Sequence, residues 1–167
     1  MNDVREVANY ALDRAAANSR AITNMSINKI IYFAHGWHLR TFSEPLVSSV
    51  PVAWQYGPVF RELYQEFRTY GSDPISGRAR RMNFAKGVHE VAELTDAPEK
   101  SVKLLDQCVD VFGRLTAATL VSMSHVPGGP WDRAYNHTGR VNVGMEIPND
   151  AIKDFFERRT EEVWPIS

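Results

Sequence analysis

Cysteine is almost missing from this chain: Cys108 is the only one among 167 residues. A single thiol closes no internal disulfide and supplies no cysteine-based zinc site, so neither framework holds the fold. Cys108 stands in Leu104-Leu105-Asp106-Gln107-Cys108-Val109, a helical apolar pattern, where a small buried hydrophobe is expected and not a nucleophile. Long apolar runs are missing too. No stretch approaches the ~18 residues of a membrane span, and the first residues, Met1 to Glu6, lack the basic-then-apolar order of a signal peptide. These absences predict a cytoplasmic protein without a membrane partner. Nor is there an excess of charge of one sign. With 19 basic and 20 acidic side chains the formal net charge is −1, so no global field draws in nucleic acid or anionic lipid. GxGxxG, Walker A, GxSxG, HExxH and EF-hand patterns are all absent, which leaves phosphate cradling, a serine nucleophile and a metal centre without sequence support. No catalytic residue, metal ligand set or cofactor is predicted. The reading from another class, a small hydrolase or metal-dependent enzyme, would gain weight from an ordered metal at His35 and His38 or from a deep pocket with convergent polar groups.

What is present suits one globular domain over residues 1–167. Hydrophobic residues make up 44% and charged residues 23%, near the globular average, and a chain of this length buries roughly 68–70% of its unfolded surface. Val4, Val7, Ala8, Ala11, Leu12 and Ala15 form one helical stripe after an Asn2 or Asp3 cap. A second helix is predicted from a Ser26 cap to about Arg40, apolar almost all round over residues 30–34 and therefore central. From Ser43 to Tyr56 prolines and serines mark a loop with short extended pieces at Leu46-Val47 and Val52-Ala53-Trp54. Pro58 is then placed in the first turn of a third helix, about Val59 to Tyr70, with Gly71 as its C-cap. Alternation over 88–94 after turn signals predicts a hairpin or weak strands. Helices are predicted from Pro98 to about Leu115, from Thr116 to near His125, and over 147–160, with a turn at Thr138-Gly139. The expected fold is mainly α, a compact single domain of about six helices with a small β-hairpin or short strands near residues 45–55 and 75–95.

Four groups of side chains stand out. His35 and His38, three apart on a helix, could reach one ion, but no third and fourth ligand accompany them, so both are read as structural; His125 is placed to donate to carbonyls at a helix end. The acidic pairs Asp150/Asp154 and Glu161/Glu162 lie beside basic residues and read as a solvated charged face. Arg78, Arg80 and Arg81 read first as a solvated turn and second as a patch for an acidic partner; the run is too short to indicate nucleic acid. Aromatic residues crowd into residues 32–70. Most belong to the core, yet their number exceeds what one buried face needs, which points to a protein interface that includes Tyr56 and Tyr64.

The motifs carry a resemblance. Asn28-Lys29-Ile30-Ile31-Tyr32-Phe33-Ala34-His35-Gly36-Trp37, then Pro45-Leu46, Ala53-Trp54-Gln55-Tyr56-Gly57-Pro58-Val59, Leu63-Tyr64, Tyr70-Gly71, Ser124-His125 with Gly129-Pro130-Trp131, and Ile147 with Ile152 to Phe156 follow one another in the order of the Panacea (SocA-like, GepA-like) antitoxin domain, which the chain resembles over nearly its whole length. On this resemblance Lys29, Tyr32, His35, Trp54, Gly57, Pro58, His125 and Trp131 are motif residues that shape the fold. Gly57 is read as permitting a backbone turn where a Cβ would obstruct, Trp54 as pinning that turn, and Lys29 as snorkelling or pairing with a carboxylate. The resemblance implies a bacterial or phage-associated antitoxin whose partner is a cognate protein toxin encoded by an adjacent gene. Neutralisation by direct binding is the leading mechanism. Delivery of the toxin to a protease, the mechanism of one family member, is the alternative. Some members carry an appended DNA-binding domain, and no residues are left over for one here, so nucleic acid is not an expected partner of this chain alone.

Overall fold

The computed structural model describes residues 1–136 and 143–159. The expected Thr138-Gly139 turn, the Glu161/Glu162 pair and the last residue of the helix predicted over 147–160 lie outside them. The fold is mainly helical. Its elements are α1 (Val4–Ala17), α2 (Asn24–Phe42), β1 (Val52–Trp54), β2 (Gly57–Val59), α3 (Arg61–Phe67), β3 (Arg80–Asn83), β4 (Val88–Val91), α4 (Glu99–Phe112), α5 (Ala117–Ser124), α6 (Pro130–Tyr135) and α7 (Asn149–Glu157).

α1 begins where the sequence places it. The Asp3 carboxylate accepts from the Arg5 backbone N–H and Glu6 reaches back to the Asp3 N–H, a reciprocal capping box. α2 starts two residues before the expected Ser26 cap, because Thr23 supplies the oxygen that accepts from the Ser26 N–H at 3.2 Å. Its residues from Ile27 to Leu39 are all buried, and α1, α3, α4, α5, α7 and β2 pack around it. This is the central helix that an apolar circumference foretells. At Gly36 the approach is tightest: a Cβ there would stand 2.3 Å from Cε2 of Phe156, so α7 lies directly on the α2 backbone.

Pro58 is not in a helix. It pairs with Ala53 as the middle residue of β2, and Val52↔Val59 and Trp54↔Gly57 complete an antiparallel hairpin turning on Gln55-Tyr56. Pro58 tolerates this because an edge strand of a two-stranded sheet needs no N–H from it. The third helix therefore begins at Arg61 and continues as a 3₁₀ turn over Arg68–Tyr70, with Gly71 at φ +57° closing it. Phe60, Leu63 and Phe67 point into the core while Tyr64 points out. α6 is a helix that periodicity does not reveal. Six residues are too few to show a stripe, and the signal lies in Pro130 at its first turn.

The second hairpin, β3–β4, pairs Arg80 with Val91 through Asn83 with Val88. One buried amide ties it down: Asn9 Nδ2 donates to the carbonyls of Ala79 and Ala92, and its Oδ1 accepts from the Ala79 N–H. Cys108 is fully buried in α4, and that burial pushes its thiol pKa far up.

The two histidines of α2 face different partners. His38 meets the Glu44 carbonyl through Nδ1 and Ser101 Oγ through Nε2, whereas His35 Nε2 donates to Asn149 Oδ1 at 2.8 Å. His35 Nδ1 is buried and unpartnered, so the ring is a neutral tautomer with its hydrogen on Nε2. Burial, against a smaller opposing effect of the Asn149 hydrogen bond, lowers its pKa from 6.5 to about 4. As pH falls the unfolded chain takes this proton first, so stability is lost through the window from 6.5 to 4. The expected loss attributable to His35 is about 1.5 kcal/mol between pH 6.5 and 5. An imidazole NMR titration checks it: the His35 ring stays neutral at pH 5, and a midpoint near 6.5 would remove the premise.

Candidate partner-binding cleft

The start of α2 carries an unusual polar run for a central helix, and Asn24, Asn28 and Lys29 each reach across to the β1–β2 hairpin, to α3 or to the residue that leads into it. Asn24 Nδ2 donates to the Tyr64 carbonyl at 3.1 Å, and Asn28 Oδ1 accepts from the Phe60 N–H at 3.0 Å. Lys29 Nζ donates to the Pro58 carbonyl at 3.0 Å. Lys29 neither snorkels nor finds a carboxylate. It is 1% exposed, and burial alone brings its pKa from 10.5 down to about 7. Gly57 is what lets the hairpin close over it. At φ +104° a Cβ would stand 2.5 Å from Lys29 Cε and 2.6 Å from Ser124 Oγ, so this motif glycine makes the backbone turn expected of it.

Behind the hairpin stands a stack of three rings. His125, at the end of α5, lies on Trp131 with centroids 3.7 Å apart and planes 13° from parallel, and Trp131 lies on Tyr135 at 4.9 Å. Trp131 Nε1 donates to the Trp54 carbonyl at 2.8 Å, fastening α6 to β1. The His125 side chain does not bond helix-end carbonyls. Only its backbone N–H does so, to Ser122, while its buried Nε2 is without a partner. Burial, and after it the Lys29 charge, hold its pKa below the ordinary imidazole value. Tyr32 and His35 lie farther along α2, in the core.

Between the first turns of α2, the β1–β2 turn and α3 opens a cleft of about 670 Å³. Trp54 and Tyr64 meet edge to face at 4.9 Å on its wall, with Tyr56 58% exposed and Tyr64 37% exposed at its rim. Among the described residues, Lys29 and Arg68 are the basic side chains lining it, and no aspartate or glutamate does. Thus Tyr56 and Tyr64, chosen from aromatic excess, come together at one site, joined by Lys29 and Trp54 from the motifs.

The three arginines do not line this cleft. Arg78 meets Asp13 at 2.6 Å, Arg81 meets Glu6, and Arg80 donates to the His89 carbonyl. The first two thereby hold the β3–β4 hairpin and its lead-in against α1. Sequence reading could not see this, because Asp13 and Glu6 lie 65 and 75 positions away. What it missed at the cleft was Arg68, one more charge on a helix in the sequence.

A family profile described as "Antitoxin SocA-like, Panacea domain" matches residues 27–132. The chain belongs to that antitoxin family. The matched span runs from α2 to α6 and contains Lys29, Trp54, Tyr56, Tyr64 and Arg68, so most of the cleft is Panacea sequence. Antitoxin SocA of Caulobacter vibrioides is 35% identical over 158 residues, 92% of this chain and 82% of that protein. No solved structure matches this Panacea chain. Among its described residues no helix is long and apolar enough to cross a membrane, and no group of three or more His, Cys, Asp or Glu residues could hold a metal ion.

Proposed function

We propose that this Panacea protein is a non-catalytic cytoplasmic antitoxin that neutralises a co-encoded protein toxin by direct contact, with the cleft over Lys29 as the docking site. The observation that carries the reading is the exposed pair Tyr56 and Tyr64 on the rim of an apolar cleft. Surface tyrosines beside a half-buried tryptophan are the composition of a binding hot spot. Membership of an antitoxin family supports the class of function. Arg78 and Arg81 are already paired with carboxylates of α1, so the arginine patch has less charge to offer a partner than its sequence suggests.

The test is co-expression with the product of the neighbouring gene, scored by growth rescue and co-purification. Rescue with a stable complex is expected. In the Tyr56→Ala/Tyr64→Ala double variant, checked for its fold by circular dichroism, affinity should fall by about a thousandfold, the cost of two hot-spot truncations. Rescue with lowered toxin abundance and no complex would instead mean delivery to a protease. Full rescue by the folded double variant would move the interface elsewhere.

A further inference from the structure

We infer that the segment of the partner that enters the cleft carries a side-chain carboxylate between apolar residues, and that this carboxylate pairs with Lys29. The inference rests on the docking reading above in naming the occupant as a protein segment.

Charge complementarity is the first argument. A cleft walled by Trp54, Tyr56, Tyr64 and Val59 takes apolar side chains, yet its charged members, Lys29 and Arg68, are both cationic. An apolar segment alone would leave the Arg68 guanidinium, and the Lys29 amine wherever it holds its proton, facing it without compensation, and burying an unpaired charge is costly. A carboxylate among apolar neighbours satisfies both kinds of wall.

The state of Lys29 is the second. The only hydrogen bond of its Nζ among the described residues goes to the Pro58 carbonyl, whereas an ammonium offers three donors. Among the described residues, the titratable and charged side chains that line the cleft with it are Tyr56 from the β1–β2 turn, Tyr64 of α3 and Arg68 after α3, and His125 after α5 is near enough to feel its charge. No aspartate or glutamate is among these described residues. The amine is therefore held short of the partner that would complete it. A carboxylate arriving from outside supplies that partner and favours the protonated form, so docking at pH 8 takes up a proton from solvent. α2 adds to the effect, since Thr23, Asn24 and Met25 of its N-terminal end also line the cleft and that end carries the positive pole of the helix.

Two peptides that differ only in charge test this, acetyl-Leu-Asp-Phe-amide and acetyl-Leu-Asn-Phe-amide, titrated into the whole protein. Binding is followed by the Trp54 indole signal and by the Lys29 Cε resonance in lysine-labelled protein. The aspartyl peptide should bind about tenfold more tightly than the asparaginyl one, the worth of one charge-assisted hydrogen bond, and it should raise the Lys29 midpoint. That preference should vanish in Lys29→Met and shrink in Arg68→Ala. Equal binding of the two peptides by the wild type, or a Lys29 midpoint unmoved by the aspartyl peptide, overturns the inference whether or not the variants fold. A charge-blind cleft in a protein that still rescues growth defeats this inference alone. A charge-selective cleft with no complex in the co-expression test defeats the docking reading alone.

Discussion

Replacing Gly57 by alanine is expected to cost about 4 kcal/mol of folding stability, by far the largest effect of removing no contact at all. Two costs combine. The backbone at φ +104° lies where L-residues are strained, worth about 1–3 kcal/mol. The new methyl also meets Lys29 Cε at 2.5 Å and Ser124 Oγ at 2.6 Å, an overpacking that costs typically 1–3 kcal/mol. Neither neighbour can swing away freely, since Lys29 is buried with its amine on Pro58 and Ser124 Oγ is bonded to the Val121 carbonyl. Urea unfolding measures the difference. A loss under about 1 kcal/mol would mean that the hairpin lifts off α2 without penalty, and that the tight seat of Lys29 is not a structural requirement.

The second large effect is a dependence of stability on alkaline pH that resides in one lysine. In the unfolded chain Lys29 holds its proton up to about its ordinary value of 10.5, while in the folded protein it gives the proton up near 7. Between these values the unfolded state binds more protons, so stability rises with pH. From pH 6 to 9 the gain from this group is about 2.5 kcal/mol. Lys29→Met keeps all but the terminal atom of the unbranched side chain and removes the titrating amine. The variant should lose this slope and be more stable than the wild type at pH 6. Urea midpoints at pH 6, 7, 8 and 9 for both proteins decide the matter. Parallel curves would mean that Lys29 stays charged in the fold.

The parts of this architecture that were legible in the sequence are those written within one element. The α1 stripe, its cap at Asn2 or Asp3 and the all-round apolar texture of α2 each follow from spacing a few residues apart, and the structure keeps the stripe and the texture and settles the cap on Asp3. The failures share a cause. Pro58 has the chemistry of a helix start and of an edge strand alike, and only its pairing with Ala53 chooses between them. Lys29 on a buried helix predicts snorkelling or an acid, whereas its partner is a carbonyl 29 positions on, which no local pattern announces. The arginines at 78 and 81 look unoccupied because their carboxylates belong to α1. At the cleft the tyrosines were found by composition, and the charge at its floor was found only by depth.

Cys108 has a practical consequence for experiments on this molecule. Its side chain is fully enclosed in α4 and its ionisation is pushed far out of reach, so the native protein offers maleimides and spin labels no surface thiol. A cysteine introduced at Ser72, on the cleft wall, would be the single labelling address without any need to delete the natural one. A dye placed there would report directly on whatever enters between Tyr56 and Tyr64.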